Sequence, residues 1–309
     1  MKKFLLLFAS VLLLTVLAAC GSDSDDKNGE DAGNKNLDPD TLVMGFVPSQ
    51  DSANIATTVE PLAEKLGEIL GKKVQARTMT NYNALVEAMG TQKVHIGFIP
   101  AFGYVIANED YGVEVILKSI RHGSSTYKAQ YLVRADSGIE TLADLEGKIW
   151  AYADPTSTSG FLFPASQLMS EFDIENQEDL TSKFFSDAIA VGGHDNAAIA
   201  VYNGDADVAT TFDDVRDNLE EEYPDIKEKL VVLGYTDEIP NDTISVIKEL
   251  DPELVDKIRE AFLSFNDDKD MIGIMNEVYT WDAIDTAEHS EYEVVAETYK
   301  RFSDSVSLD

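Results

Sequence analysis

From residue 42 onward, short apolar runs alternate with segments whose apolar residues recur every three or four positions. This alternation limits the fold more than any other feature. Residues 42–47 read as a buried strand closed by Pro48. Residues 61–70 read as a helix, with Pro61 in the tolerated first turn and Gly71 just past the end. Strand 73–77, helix 82–89 stopped by Gly90, and strand 94–99 follow. After apolar runs at 113–117 and 129–133 the pattern resumes: strand 148–152, helix 164–171, strand 184–191, helix 196–202, strand 207–210, helix 214–222. Runs at 230–233 and 243–246 lead into helices at 252–265, 269–278 and 292–302, the last expected to pack on the first half. The pattern predicts an α/β chain with mostly parallel strands, whose ligands sit beyond the strands' carboxyl ends. Two sheets are implied, with extended crossings near 131–136 and 231–235 as the hinge and a cleft between two lobes. Residues 41–133 and 234–309 are assigned to lobe 1, and 134–233 to lobe 2.

The N-terminus is of another kind. Met1-Lys2-Lys3 is a positive start, residues 4–17 are an apolar run too short to span a bilayer comfortably, and Leu17-Ala18-Ala19 precede the only cysteine, Cys20. This looks like a bacterial lipoprotein signal: residues 1–19 are expected to be removed, and Cys20 to carry the lipid that holds the protein to the outer face of the cell membrane. Residues 20–40, rich in Gly, Ser, Asp, Asn and Lys, are too polar to build a core and read as a tether. With 57 Asp and Glu against 24 Lys and Arg, the net charge of −33 argues against nucleic acid and against anionic membrane surfaces as partners. A small anion is not excluded, because donors inside a cleft decide local binding while solvated charges are screened over about 8–10 Å.

One stretch offers such donors. Asp154-Pro155-Thr156-Ser157-Thr158-Ser159-Gly160-Phe161-Leu162-Phe163-Pro164 lies between the strand at 148–152 and the helix at 164–171. A helix entered here starts with backbone N–H groups that have no intrahelical partner and with the positive end of its dipole. The four hydroxyls of Thr156–Ser159 add donors without formal charge, and Gly160 is expected to let an oxyanion approach the backbone. A plain N-cap in a Ser/Thr-rich turn is the competing reading. Ends of first-lobe elements at Ser49, Tyr82 and Pro100-Ala101 are expected to meet this turn.

His194, after Gly192-Gly193, opens a helix and can hydrogen-bond an anion's oxygen. Without a second His or Cys at ligand spacing, no metal is expected. Asp214 and Asp242 fall at strand-end turns, where a cap or Asx turn is the ordinary role. Beside a phosphoryl oxygen, a carboxylate selects a protonated phosphate, phosphite or phosphonate over sulfate; alternatively it pairs with a ligand ammonium. Tyr82 and Tyr127 are candidates to line the same pocket. No Gly-x-Ser-x-Gly elbow or P-loop is present, so no cofactor is expected, and Ser157 with His194 forms no discernible triad.

The 154–164 stretch, Gly193-His194-Asp195-Asn196-Ala197, the run Asn203-Gly204-Asp205-Ala206-Asp207-Val208-Ala209-Thr210 and Ile239-Pro240-Asn241-Asp242 together resemble the phosphate/phosphite/phosphonate substrate-binding proteins of ABC importers. The resemblance covers residues 42–281. It implies a two-lobed, type 2 periplasmic-binding-protein fold, with two mixed sheets flanked by helices, a hinge and an interlobe cleft. It also implies that Ser157, Thr158, Ser159 and His194 bind the phosphonyl oxygens, that Tyr82 and Tyr127 close over the ligand, and that Asp214 and Asp242 stand where some members face a ligand amine. Asp214 is a shorter side chain than the Glu of some members, and the residues after Gly97 depart from the family pattern. The expected protein is a monomeric lipoprotein receptor that makes no covalent bond and hands its anion to a permease driven by an ATPase. Receptors for a sulfonate, nitrate or thiamine-like phosphate, and a surface hydrolase or adhesin on the same fold, are the alternatives.

Overall fold

The computed structural model describes residues 36–50 and 52–302. The expected signal peptide, Cys20 and residues 20–35 of the expected tether lie outside the described residues. The tether's last residues are not free: Leu37 pairs with Leu250 as a bridge, its N–H donating to the Glu249 carbonyl at 2.6 Å.

The Val/Ile/Leu-rich runs form two sheets, because strands covered on both faces need apolar side chains at successive positions. The first sheet holds β1 (Thr41–Phe46), β2 (Lys73–Thr78), β3 (Ile96–Ile99), β4 (Glu114–Ile120), β10 (Thr243–Val246) and β11 (Ala283–Thr286), in the order β11-β4-β10-β3-β1-β2. The second holds β5 (Thr126–Arg134), β6 (Ile149–Tyr152), β7 (Asp187–Ala190), β8 (Val208–Phe212) and β9 (Leu230–Pro240), in the order β7-β6-β8-β5-β9. Each sheet has the same plan. A parallel group (β2-β1-β3, β7-β6-β8) is flanked by a strand arriving from the other sheet, and that strand runs antiparallel. The sheets are therefore mixed, and parallel pairing is less dominant than the alternation predicts.

The crossings differ from expectation. Residues 131–136 and 231–235 are not connections between sheets: Tyr131 pairs with Gly234 and Val133 with Val231 inside the second sheet. The chain changes sheets at 121–125 and at 241–242 instead. Beyond residue 233, β9 carries exposed Tyr235, Asp237 and Glu238, so its apolar signal fades while its hydrogen bonds to β5 continue to Pro240. The helix Ala101–Tyr111 is also absent from the sequence reading. Residues 101–107 are all buried, so it shows no amphipathic period to detect.

Each sheet has an aromatic centre. Phe46 stacks on Phe98 with centroids 4.3 Å apart, and Phe98 meets Phe262 and Trp281. In the second sheet Trp150 lies 5.4 Å from Phe161 and 5.0 Å from Phe185.

Candidate functional site

Four helices begin around one small cavity. They start at Tyr82, Ala101, Thr158 and His194, two following strands of each sheet, because in both lobes the chain turns at a strand's carboxyl end directly into a helix. The first-turn N–H groups of all four lack intrahelical acceptors, and the dipoles add partial positive charge there. In a chain of net charge −33, this is a local reversal of sign. Ser49, Gln50, Tyr82, Pro100, Arg121, Tyr127, Ser157, Ser159, His194, Phe212, Asp242 and Tyr279 line the cavity. The room for the centre of a water-sized sphere is ≈ 30 Å³, against roughly 10–15 Å³ for one water. Only a compact guest fits.

The Thr158 helix starts six residues before the 164–171 expected from sequence. A π-helical turn, Thr158–Leu162, runs directly into the α-helix Phe163–Glu171, with Pro164 at the α-helical start. Proline lacks the N–H that would bond the carbonyl four residues back, that of Gly160. The Thr210 hydroxyl donates to this carbonyl instead, and itself accepts the Trp150 indole N–H at 2.8 Å. The Ser157 hydroxyl accepts the Gly160 N–H at 3.0 Å as the N-cap. That amide is therefore not offered to a ligand, and the missing side chain of Gly160 serves another purpose: a Cβ there would lie 2.8 Å from Ser157 Oγ. The amides of Thr158 and Ser159 make no hydrogen bond to an acceptor among the described residues and are the remaining donors of the first turn.

The predicted residues divide in two. Tyr82, Tyr127, Ser157, Ser159, His194 and Asp242 come together around the cavity. Thr158 does not line it: its hydroxyl accepts the Phe102 N–H at 2.9 Å, joining the starts of two helices from opposite lobes. Asp214 is likewise turned away. Its Oδ1 accepts from Arg121 Nη2 at 2.5 Å, and its Oδ2 lies 2.8 Å from His122 Nε2.

The lobes meet directly here. His194 N–H donates to the Ser49 carbonyl at 2.8 Å, Tyr82 N–H to Asp154 Oδ2 at 3.3 Å, and Asn218 Nδ2 to Gln50 Oε1 at 3.0 Å. This is a closed arrangement. Among the described residues, two buried polar atoms of this arrangement have no partner, the Tyr82 hydroxyl and His194 Nδ1. Orphans of this kind cost free energy unless a guest supplies the missing bond.

The electrostatics are set by burial. His194 is held down to about 3 by burial and then by the Arg121 charge, so its ring is neutral and presents one donor and one acceptor. Its Nε2 lies 3.3 Å from Ser157 Oγ. Burial, with Asp154 and Asp242 nearby, pushes Tyr82 well above the usual tyrosine value, so its hydroxyl stays a donor. Burial raises Asp242 against the opposing pull of Arg121. Arg121, 7 % exposed, lies with its Cζ 5.5 Å from the Tyr127 centroid and 5.0 Å from that of Phe212, and its Nε donates to Thr280 Oγ1 at 2.9 Å.

Arg121, Gln50, Phe212 and Tyr279 escape the sequence reading. Arg121 had one signal, an Arg-His pair at the end of a strand in a chain poor in cations. Tyr279 and Phe212 resemble ordinary core aromatics.

The sequence model of one family, ABC transporter, phosphonate, periplasmic substrate-binding protein, matches residues 44–292. The phosphate-import protein PhnD of Mycolicibacterium smegmatis is 29% identical over 259 residues, 82% of this chain and 79% of that protein. The phosphonates-binding periplasmic protein of Escherichia coli is 28% identical over 229 residues, 72% of this chain and 66% of that one. Among solved structures, PhnD1 of Prochlorococcus marinus in complex with methylphosphonate superposes with a TM-score of 0.74 at 18% identity, covering 85% of this chain and 98% of that one. A binding-protein component of an ABC phosphonate transporter from Pseudomonas aeruginosa gives 0.75 at 21% identity, covering 84% and 85%.

Proposed function

Because the chain belongs to the periplasmic phosphonate substrate-binding proteins of ABC transporters, we propose that it catches a small phosphorus oxyanion, a phosphonate, phosphite or phosphate, by closing its two lobes. In this reading lobe 1 comprises residues 41–120 and 243–302, lobe 2 residues 126–240, and the crossings at 121–125 and 241–242 form the hinge. The observation that carries it is the convergence of four helix starts on a cavity whose Tyr82 hydroxyl and His194 Nδ1 are buried without partners. Tetrahedral oxygens supply acceptors for Tyr82 and for the Ser159 amide and hydroxyl, while a protonated ligand oxygen donates to Asp242. Contacts made on both lobes at once favour the closed state by differential affinity. Cys20 is the proposed lipid anchor on the extracytoplasmic face, and a permease with its ATPase the proposed recipient of the ligand.

The hydrolase reading has one observation to offer, the Ser157–His194 approach at 3.3 Å. It is the weaker reading. Among the described residues His194 Nδ1 has no carboxylate to orient it, and a ring held down to about 3 is a poor base at neutral pH. Calorimetric titration with phosphate, phosphite and methylphosphonate tests the proposal. At least one is expected to bind tightly, and sulfate not to compete; binding of none would overturn it, and turnover of a phosphoester above background would favour the hydrolase.

A further inference from the structure

Arg121 is a fixed cation inside the cavity of a chain with few cations. It is clamped by the Tyr127 and Phe212 rings, by Thr280 Oγ1 from the first lobe and by Asp214 Oδ1 from the second. Its position cannot shift without breaking contacts on both lobes. Asp214, the carboxylate that a ligand ammonium would seek, has one oxygen on the Arg121 guanidinium and the other on the His122 ring, and it does not line the cavity. The remaining carboxylate on the wall, Asp242, shares that wall with Arg121. Because Asp214 is already engaged by Arg121 and His122, an ammonium in the cavity would find Asp242 as the one lining carboxylate among the described residues, and the guanidinium that shares this wall would oppose its approach in a low-dielectric space.

We propose that Arg121 is the specificity-determining residue of this site: its guanidinium takes the place of a ligand cation, so the site accepts compact phosphorus oxyanions without an ammonium and rejects aminoalkylphosphonates. This inference rests on the receptor reading above. Discrimination comes from the repulsive element as much as from the attractive ones. The same guanidinium lends the bound anion a positive charge from the Tyr127 side, so losing it weakens the small anions and relieves the amine-bearing ones.

Titration of the full mature protein with methylphosphonate, phosphate, phosphite and 2-aminoethylphosphonate tests this directly. The amine-bearing ligand is expected to bind at least about 100-fold more weakly than the tightest of the other three. In Arg121→Met, whose unbranched side chain keeps the apolar contact with the two rings, this ratio is expected to shrink at least tenfold, with affinity for the small anions reduced. Arg121→Lys, which keeps the charge, is expected to retain the rejection and serves if the Met variant does not fold. Binding of 2-aminoethylphosphonate by the unaltered protein as tightly as its best small anion would overturn the role of Arg121 while leaving the receptor reading standing. Failure of all four ligands would overturn the receptor reading, and this inference with it.

Discussion

Tyr82→Phe removes one oxygen and nothing else, at a position where the two states of the protein make opposite demands. In the closed arrangement the Tyr82 hydroxyl is buried and has no partner among the described residues. Deleting an unsatisfied buried hydroxyl removes a desolvation cost of about 1–3 kcal/mol from the empty closed form. With an anion present the same hydroxyl makes a charge-assisted hydrogen bond, worth about 1.5–3 kcal/mol. The expected result is a Kd for the tightest anion raised roughly 10- to 150-fold, while the ligand-free melting temperature is unchanged or higher. Calorimetric titration gives the first quantity and scanning calorimetry without ligand the second. An affinity within about twofold of the unaltered protein, or a clear loss of ligand-free stability, would refute the argument that this hydroxyl is held for a guest.

Thr158→Val removes the acceptor that ties Phe102 N–H across the lobes. Every ligand is expected to weaken alike, by roughly 2- to 13-fold for a bond worth about 0.5–1.5 kcal/mol, with selectivity unchanged in parallel titrations. His194 is held from its ordinary 6.5 down to about 3, so between those values the unfolded chain binds the proton and the folded one does not. Stability therefore falls as pH drops below about 6.5, by up to about 1.4 kcal/mol per unit from this group; His194→Gln should flatten that slope in thermal melts from pH 5 to 7. Asp242→Asn removes the carboxylate that repels an unprotonated oxygen, so sulfate, silent against the unaltered protein, is expected to compete with phosphate, the ratio of the two affinities falling at least about tenfold in competition titrations.

The parts of the fold legible in the sequence are those whose physics is local. Val43, Met44 and Phe46 or Trp150, Ala151 and Tyr152 announce buried strands by composition. The hydroxyl run at 156–159 announces a helix start because capping is a matter of adjacent residues. What was hidden depends on neighbours far away in the chain. Thr158 and Ser159 are chemically similar in the sequence, yet only the approach of the Ala101 helix turns Thr158 toward Phe102 and leaves Ser159 on the cavity wall. From sequence Asp214 is a candidate for a cap or for a ligand, because its partner Arg121 stands 93 residues earlier. The sequence places a crossing at 231–235 because β9 is an edge strand whose outer residues are polar, and polarity resembles a connection.

In the proposed complex a tetrahedral phosphorus anion replaces the missing partners between the two closed lobes. A crystal structure with the tightest-binding anion tests this most directly. Phosphorus-centred density is expected in the cavity, with oxygens about 2.7–3.2 Å from the Tyr82 hydroxyl and from the Ser159 amide, and Arg121 still paired with Asp214. Density for the anion elsewhere on the molecule, with Tyr82 unpartnered in a ligand-saturated crystal, would contradict it.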